Sequence, residues 1–269
     1  MEPVLLHYRT YECAPEADWV VFIHGAGGSS AIWFKQIRAF QKYFNVLLID
    51  LRGHGDSRLK AEPAKHSVYT FEEISRDVLN VLDHLGIERA HFIGISLGSV
   101  IIRSLYELAP ERVASMVLGG AVIRLNLRSR VLIALGNVFK RVLPYLWIYR
   151  LAAWILMPRR QNREARAVFI REARKLKQAE FVRWFQLAWG VNPLLRRFEA
   201  HEPPVPVLYL MGEHDHMFLP EVRRSVERHR NSVLKIIEHA GHVCNVEAPE
   251  RFNQYAIAFI QAHRIGAPT

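Results

Sequence analysis

Short apolar runs alternate with helical patterns through the first 120 residues of the chain. Four of these runs are typical of buried strands: WVVFIH (19–24), VLLID (46–50), HFIGI (91–95) and VASMVLGG (113–120). Apolar residues recur at helical spacing in the stretches between and after them: 33–40, 72–85 and 97–108. Uninterrupted apolar strands separated by helices predict an α/β protein with a mostly parallel central sheet and helices on both faces.

The same alternation returns after residue 200. Strands are expected at 204–212 and 232–238, and helices at 220–228 and 249–262. The early run LLHYRTY is a candidate for an antiparallel strand at one edge of the sheet. We therefore expect a single α/β core formed by residues 1–120 and 201–269.

Residues 121–200 differ from both flanking parts. They show helical spacing without a strand pattern, and they hold 17 Lys and Arg against four Glu, whereas the whole chain has a net charge of +10. An apolar run at 131–158 is interrupted by charged residues and a proline: Lys140, Arg141, Pro144 and Arg150. No uninterrupted stretch reaches the roughly 18 to 20 apolar residues that a bilayer requires. We predict an inserted all-helical cap, or lid, over 121–200.

The composition is ordinary for a globular protein, with 50% hydrophobic and 23% charged residues. Cys13 and Cys244 lie far apart and form no disulfide framework, which fits a reducing compartment. The first residues lack the pattern of a signal peptide, so a cytoplasmic location is expected. Neither a nucleotide-binding glycine loop nor a nucleic-acid-binding module is visible, and we expect no cofactor, no metal and no nucleic acid.

Ser96 lies between Gly94 and Gly98 where a predicted strand turns directly into a helix. Glycines allow the close backbone approach of a sharp turn that pushes a hydroxyl group out of the sheet. A serine nucleophile also needs a base, an orienting acid and fixed donors for an oxyanion. These groups are expected at the carboxyl ends of other strands, where functional groups gather in a parallel sheet.

Three strand ends supply the required groups. Asp215 follows the strand at 204–212, and His242 lies in a Gly-His loop after the strand at 232–238. The strand at 19–24 ends in a glycine-rich turn, where the backbone N–H of Ala26 is expected to pair with that of Leu97 to bind an oxyanion. Glu213 competes with Asp215 for the acid, and three histidines compete with His242: His214, His216 and His239.

Five short motifs resemble those of the α/β-hydrolases: His24-Gly25, Asp50-x-Arg52-Gly53-His54-Gly55-x-Ser57, Gly94-x-Ser96-x-Gly98, Gly212-x-x-Asp215 and Gly241-His242. The resemblance spans nearly the whole chain outside 121–200, where this family places its cap domain. It implies the α/β-hydrolase fold, a triad of Ser96, Asp215 and His242, and an oxyanion hole at Ala26 and Leu97. His24 and the loop at 50–57 are interpreted as braces for the turns around the pocket.

A serine at this position implies an acyl-enzyme, and hence hydrolysis of a carboxylic ester or thioester with a small to medium apolar acyl group. Haloalkane dehalogenases and epoxide hydrolases of this fold use an aspartate there and are disfavoured. Carbon–carbon bond hydrolases tend to have Asn before the serine and Trp after the histidine, where this chain has Ile95 and Val243. That activity stays open as an alternative, as do a cofactor-free haloperoxidase or perhydrolase and a non-enzymatic ligand receptor or partner-binding regulator.

The cap is expected to set the choice of a small-molecule ester or acyl substrate. Four apolar residues are candidates for its inner face: Leu135, Phe139, Leu146 and Trp147. Four tryptophans are interpreted as packing within the cap: Trp147, Trp154, Trp184 and Trp189. The outer face is basic, with Arg159, Arg160, Arg163 and Arg166. It is either a solvated surface or a contact for an anionic membrane or for the phosphates of an acyl carrier such as coenzyme A.

Overall fold

A seven-stranded sheet forms the centre of the protein, seen in a computed structural model that describes residues 5–59, 69–139 and 143–266. Its strands are β1 (Tyr8–Tyr11), β2 (Trp19–Ile23), β3 (Asn45–Ile49), β4 (Ala90–Ile95), β5 (Val113–Gly119), β6 (Val207–Gly212) and β7 (Ser232–Ile237). They lie in the order β1-β3-β2-β4-β5-β6-β7. Strand β1 pairs antiparallel with β3, and all other pairs are parallel. The mostly parallel sheet expected from the apolar runs is confirmed.

Helices connect the strands and cover both faces of the sheet. They are α1 (Ile37–Phe40), α2 (Phe71–His84), α3 (Leu97–Leu108), α4 (Leu127–Phe139), α5 (Tyr145–Leu156), α6 (Arg163–Ala173), α7 (Gln178–Trp189), α8 (Asn192–Ala200), α9 (Leu219–Val226), α10 (Cys244–Glu247) and α11 (Pro249–Gln261). Short 3-10 turns lie at Ser30–Trp33, Gly55–Leu59, Pro110–Arg112 and Arg160–Asn162. In the described parts of the chain, no helix combines the length and the apolar character needed to cross a bilayer.

Alternation along the strands divides the core into two layers. In β2, Val21 and Ile23 pack with α2 and α3, whereas Val20 and Phe22 point to the opposite face. There the Phe22 ring packs 5.0 Å from the ring of Trp33 and 5.1 Å from that of Phe40. The single helix expected at 33–40 is replaced by a 3-10 turn and the short helix α1, because Trp33 and Phe40 approach Phe22 from two separate turns.

Helices α4 to α8 lie between β5 and β6 and attach to the core at two places. Residues of α7 and α8, among them Trp184 and Phe198, belong to the same apolar cluster as α2 and α3. Residues of α5 and α6, such as Ala153 and Val168, extend the cluster on the opposite face. We propose that this helical segment is the cap, with its boundaries near 121 and 200.

Only one of the four cap tryptophans is packed as expected. Trp184 is buried, and its indole Nε1 donates to the carbonyl oxygen of Arg52 at 3.0 Å. The interpretation is wrong for Trp147, Trp154 and Trp189, each of which is about half exposed or more. Their helices turn these side chains away from the sheet and toward solvent.

Candidate active site

Ser96 occupies a strained turn between β4 and α3. Its backbone has φ +53° and ψ −121°, a conformation that residues with a side chain rarely adopt. A Cβ on Gly94 would lie 2.8 Å from the Gly98 backbone, and one on Gly98 would collide with the carbonyl oxygen of Ile23. Both glycines are therefore required by backbone packing, as the sequence pattern predicts for a nucleophile elbow.

The structure brings the three predicted triad residues together. The Oγ atom of Ser96 lies 2.9 Å from Nε2 of His242, and Nδ1 of His242 lies 2.8 Å from Oδ2 of Asp215. Asp215 is 1% exposed and His242 is 2% exposed. Because a carboxylate only accepts hydrogen bonds, Nδ1 of His242 carries the proton and Nε2 is left to accept from the Ser96 hydroxyl.

In the loop after β6, Asp215 contacts His242, whereas the alternative acid and the alternative histidines have other surroundings. The Phe218 backbone N–H donates to Oδ1 of Asp215 at 3.1 Å, which fixes the carboxylate toward His242. Glu213 is exposed and accepts from the backbone N–H of His239 at 3.0 Å. His239 and His216 are exposed, and His214 contacts Arg159 and Gln161 instead of Ser96.

Glu247 holds the His242 loop, a role that the sequence motifs do not predict. Its carboxylate accepts from the backbone N–H of Gly241 at 2.8 Å and from that of Val243 at 3.3 Å, the residues on either side of His242. Asn162, which precedes α6, also donates to this carboxylate. A glutamate five residues after the histidine is a possible sequence signal, but only the fold shows that its side chain returns to the loop.

Two backbone N–H groups at the elbow and the neighbouring glycine-rich turn make no hydrogen bond in the described parts of the chain. Gly25 lies so close to it that an added Cβ would be 3.1 Å from the Ser96 Cβ and 3.7 Å from the Leu97 nitrogen. Among the described residues, neither the Ala26 N–H nor the Leu97 N–H makes a hydrogen bond, whereas the neighbouring Gly27 N–H donates to Nε2 of His54 at 3.0 Å. Unpaired donors beside a serine hydroxyl are suited to bind an oxyanion.

Two histidines, His24 and His54, hydrogen-bond the backbone around the glycine-rich turn after β2. Nδ1 of His24 donates to the Gly25 carbonyl at 2.8 Å, and its Nε2 accepts from the Leu51 N–H at 3.0 Å. Nδ1 of His54 donates to the Arg52 carbonyl at 3.1 Å. Burial lowers the pKa of His24, and burial together with the nearby His24 lowers the pKa of His54 to about 3. Both rings are therefore neutral and fully hydrogen-bonded.

Asp50 joins the segment after β2 to the loop after β3. Its carboxylate accepts from the backbone N–H groups of Ser30 at 2.6 Å and Asp56 at 2.9 Å. Burial raises the pKa of Asp50, but the nearby His24 and these hydrogen bonds outweigh burial and lower it. His7, Asp50 and Asp56 are close enough to hold a metal ion, yet His7 and Asp50 already contact each other at 3.1 Å.

Ser96 and His242 line a partly open apolar cavity of about 190 Å³. Its floor includes Ala26 and Ile95, and its roof comes from α5 and α6: Tyr149, Ala152, Leu156, Ala165, Val168 and Phe169. Burial raises the pKa of Tyr149, which keeps its hydroxyl neutral. Nearly all of the lining is therefore uncharged.

Two of the four residues predicted to line this cavity, Leu146 and Trp147, are not found there. Trp147 is 66% exposed and points away from it, so that this prediction is wrong. Leu146 is partly buried but does not line the cavity, and the side chains of Leu135 and Phe139 lie outside the described parts of the chain. Helical spacing defines faces of α5, but it does not show which face meets the sheet.

Cys244 lies two residues from His242 without taking part in the site. It is buried, its thiol donates to the Leu210 carbonyl at 3.4 Å, and burial raises its pKa. A thiol held in its protonated form is a poor nucleophile. Cys244 therefore serves as a small packing residue.

Comparisons with known proteins agree with this fold. A profile of the alpha/beta hydrolase fold matches residues 18–134. The chain is 28% identical over 265 residues to carboxylesterase YbfK of Bacillus subtilis, covering 91% of this chain and 81% of that protein. It is 27% identical to the dihydrolipoyllysine-residue acetyltransferase component of an acetoin cleaving system from Pseudomonas putida, covering 91% of this chain but only 64% of that protein.

A solved structure extends the comparison to three dimensions. The enol-lactonase from Burkholderia xenovorans superposes with a TM-score of 0.78 at 24% sequence identity, over 95% of this chain and 96% of that chain. At this identity the likeness shows the fold alone, including the helical segment between β5 and β6. The chain therefore has the α/β-hydrolase fold, and over most of its length it is similar to enzymes of that fold.

Proposed function

We propose that the protein hydrolyses carboxylic esters with a short apolar acyl group, by way of an acyl-enzyme on Ser96. The observation that carries this proposal is the continuous pair of hydrogen bonds from Ser96 through His242 to Asp215, at 2.9 and 2.8 Å, on the floor of the apolar cavity. A nucleophile, its base and the acid that orients the base are the groups that acyl transfer requires.

In the first half of the reaction, the Ser96 hydroxyl attacks the ester carbonyl carbon while Nε2 of His242 takes its proton. Asp215 holds the imidazole in the correct tautomer and stabilises the imidazolium that forms. The negative charge develops on the carbonyl oxygen, where the N–H groups of Ala26 and Leu97 are free to donate. His242 then gives its proton to the leaving alcohol, which departs and leaves an acyl group on Ser96.

In the second half, His242 takes a proton from water, and the resulting hydroxide attacks the acyl carbonyl. The same two N–H groups stabilise the second tetrahedral intermediate. When that intermediate collapses, Ser96 regains its proton from His242 and the carboxylic acid is released. A thioester follows the same route with a thiol as the leaving group.

The cavity favours a small substrate. Its volume of about 190 Å³ is below the roughly 300 to 1,000 Å³ typical of pockets for drug-sized ligands. Uncharged side chains of α5 and α6, such as Ala152, Leu156 and Val168, form the surface that an acyl group would contact. We therefore propose acyl groups of a few carbons, bound beneath the cap.

The test is hydrolysis of p-nitrophenyl esters of increasing acyl length, from acetate to palmitate. We expect the highest kcat/KM with the shortest acyl groups and a steep decline for long ones. Ser96→Ala and His242→Ala are each expected to lower kcat by about 10⁴-fold or more, because removing either group disables the triad. A fluorophosphonate probe should label the wild type and not Ser96→Ala.

Two results would contradict the proposal. Ester hydrolysis that persists in folded Ser96→Ala would mean that another group carries the reaction. A folded wild type that neither cleaves any ester nor reacts with the fluorophosphonate would mean that Ser96 is not an activated nucleophile. Circular dichroism of each variant separates these results from misfolding.

A further inference from the structure

Helix α5 has two apolar faces, and only one of them is covered. Tyr149 and Ala153 are buried, and Ala152 and Leu156 line the cavity above Ser96. On the opposite side, three large apolar residues at spacings of four and three lie on one face: Trp147, Leu151 and Trp154, which are 66%, 57% and 58% exposed. Such a contiguous apolar stripe is unusual on a protein surface and indicates an interaction site.

Cationic side chains lie on this stripe and in the segment that follows α5. Arg150 lies on the same face of α5, and the Arg166 guanidinium lies 4.4 Å from the centre of the Trp154 ring. Arg160 and Arg163 are exposed, and within the described parts of the chain the side chains of Arg150, Arg160 and Arg163 have neither a hydrogen-bond nor an ion-pair partner. Their positive charge is therefore available to an external anion.

We propose that this face of α5, formed by Trp147, Arg150, Leu151 and Trp154, docks onto the surface of an anionic lipid bilayer. Tryptophan is enriched at the level of lipid headgroups, where its ring is partly apolar and its N–H is hydrated. Basic residues beside such a stripe add attraction to anionic lipids. At 12 residues, α5 lies on the membrane instead of crossing it.

The charge distribution favours a bilayer over a second copy of this chain. Residues 121–200 hold 17 Lys and Arg against four Glu, so that a dimer formed through α5 would bring two strongly positive surfaces together. An anionic surface instead neutralises this charge. Docking does not depend on the proposed esterase activity, although α5 is also the roof of the cavity.

The first experiment is flotation of the purified full chain with vesicles. One set contains phosphatidylcholine alone and the other contains phosphatidylcholine and phosphatidylserine in equal amounts. We expect strong binding to the anionic vesicles at low salt, weak binding to the neutral ones, and release at high salt because the attraction is screened. Tryptophan fluorescence should shift to shorter wavelength with the anionic vesicles only.

Substitutions on α5 test whether its exposed face is the surface that binds the vesicles. The double variant Trp147→Ser/Trp154→Ser should bind anionic vesicles at least about tenfold more weakly, because it loses the apolar contact. Arg150→Gln should bind about fivefold more weakly. Trp189→Ser is the matched control, because Trp189 is also exposed but lies at the end of α7 in a different groove, and its binding should equal that of the wild type.

Three outcomes would overturn the proposal: equal binding to neutral and anionic vesicles, equal loss of binding in Trp189→Ser, and no binding to either set. A wild-type dimer in analytical ultracentrifugation that becomes a monomer in the double variant would assign the face to a second copy instead. Each variant should keep the wild-type Tm and rate of p-nitrophenyl acetate hydrolysis, which keeps a failure of docking distinct from a failure of the catalytic proposal.

Discussion

His54 shows how a single buried residue links the active-site turn to the pH dependence of stability. Its Nε2 accepts the Gly27 N–H and its Nδ1 donates to Arg52, so protonation of Nε2 would break the first bond. Burial lowers its pKa from 6.5 to about 3. Between these values the unfolded chain binds a proton that the folded chain excludes, and the free energy of unfolding therefore falls as the pH falls through this window.

His54→Gln should reduce the fall in the free energy of unfolding at acidic pH. The Gln amide oxygen replaces Nε2 as an acceptor for the Gly27 N–H, and it does not titrate. Lowering the pH from 7.5 to 5.0 should cost the wild type about 2 kcal/mol more of unfolding free energy than the variant. Urea unfolding at the two pH values measures the difference. His239→Asn is the control, since His239 is exposed, and a variant of His54 that loses as much stability in acid as the wild type would contradict the argument.

At the scale of an element, the loop between β7 and α10 positions the proposed base. Glu247 accepts the N–H groups on both sides of His242, at 2.8 and 3.3 Å, and this fixes the direction in which the loop presents the imidazole. Glu247 does not touch Ser96 or the cavity, and it therefore acts as a positioning residue. Its effect on the reaction is transmitted through the His242 geometry.

Glu247→Gln should lower kcat by about ten- to hundredfold while KM changes little. The amide keeps one acceptor oxygen but turns an NH2 group toward the second backbone N–H, which displaces the loop by a fraction of an ångström. Steady-state kinetics with the preferred ester measure both constants. Glu250→Gln, on the exposed side of α11, is the matched control and should match the wild type. An increase in KM with an unchanged kcat would assign Glu247 to substrate binding instead.

Local signals at the element scale explain what the sequence predicts well. The elbow at Ser96 follows from neighbours in sequence, because the glycines at 94 and 98 and the strand-to-helix transition are all within a few residues. The parallel sheet follows from largely apolar runs such as β5, all residues of which are buried. The face of α5 that meets the sheet, and the return of Glu247 to the His242 loop, depend on contacts between distant segments, and no local pattern specifies them.

At the scale of the whole molecule, a buried hydrogen bond connects α6 of the helical segment to the turn that follows β2. Ser29, in the turn after β2, donates its hydroxyl to Oε2 of Glu172 on α6 at 2.6 Å. Lys175 lies 2.6 Å from the same oxygen. Burial raises the pKa of Glu172, but hydrogen bonds from Lys175, Ser29 and Arg171 outweigh burial and lower it, so that the carboxylate stays charged. The bond holds α6, and with it part of the roof of the cavity, against the turn that carries Ala26.

Ser29→Ala should weaken the attachment of α6 to this turn without unfolding the sheet. The buried Glu172 loses one of its donors, at a cost of about 1 to 2 kcal/mol, and this cost falls on the contact between α6 and the turn. Amides of α6 should exchange hydrogen about tenfold faster, those of β4 and β5 should not change, and KM for the preferred ester should rise. Ser129→Ala is the matched control, because its buried hydroxyl bonds to Asn126 within the helical segment. If exchange accelerates equally in β4 and α6, the segment and the sheet open as one unit, and the proposed cap has no motion of its own.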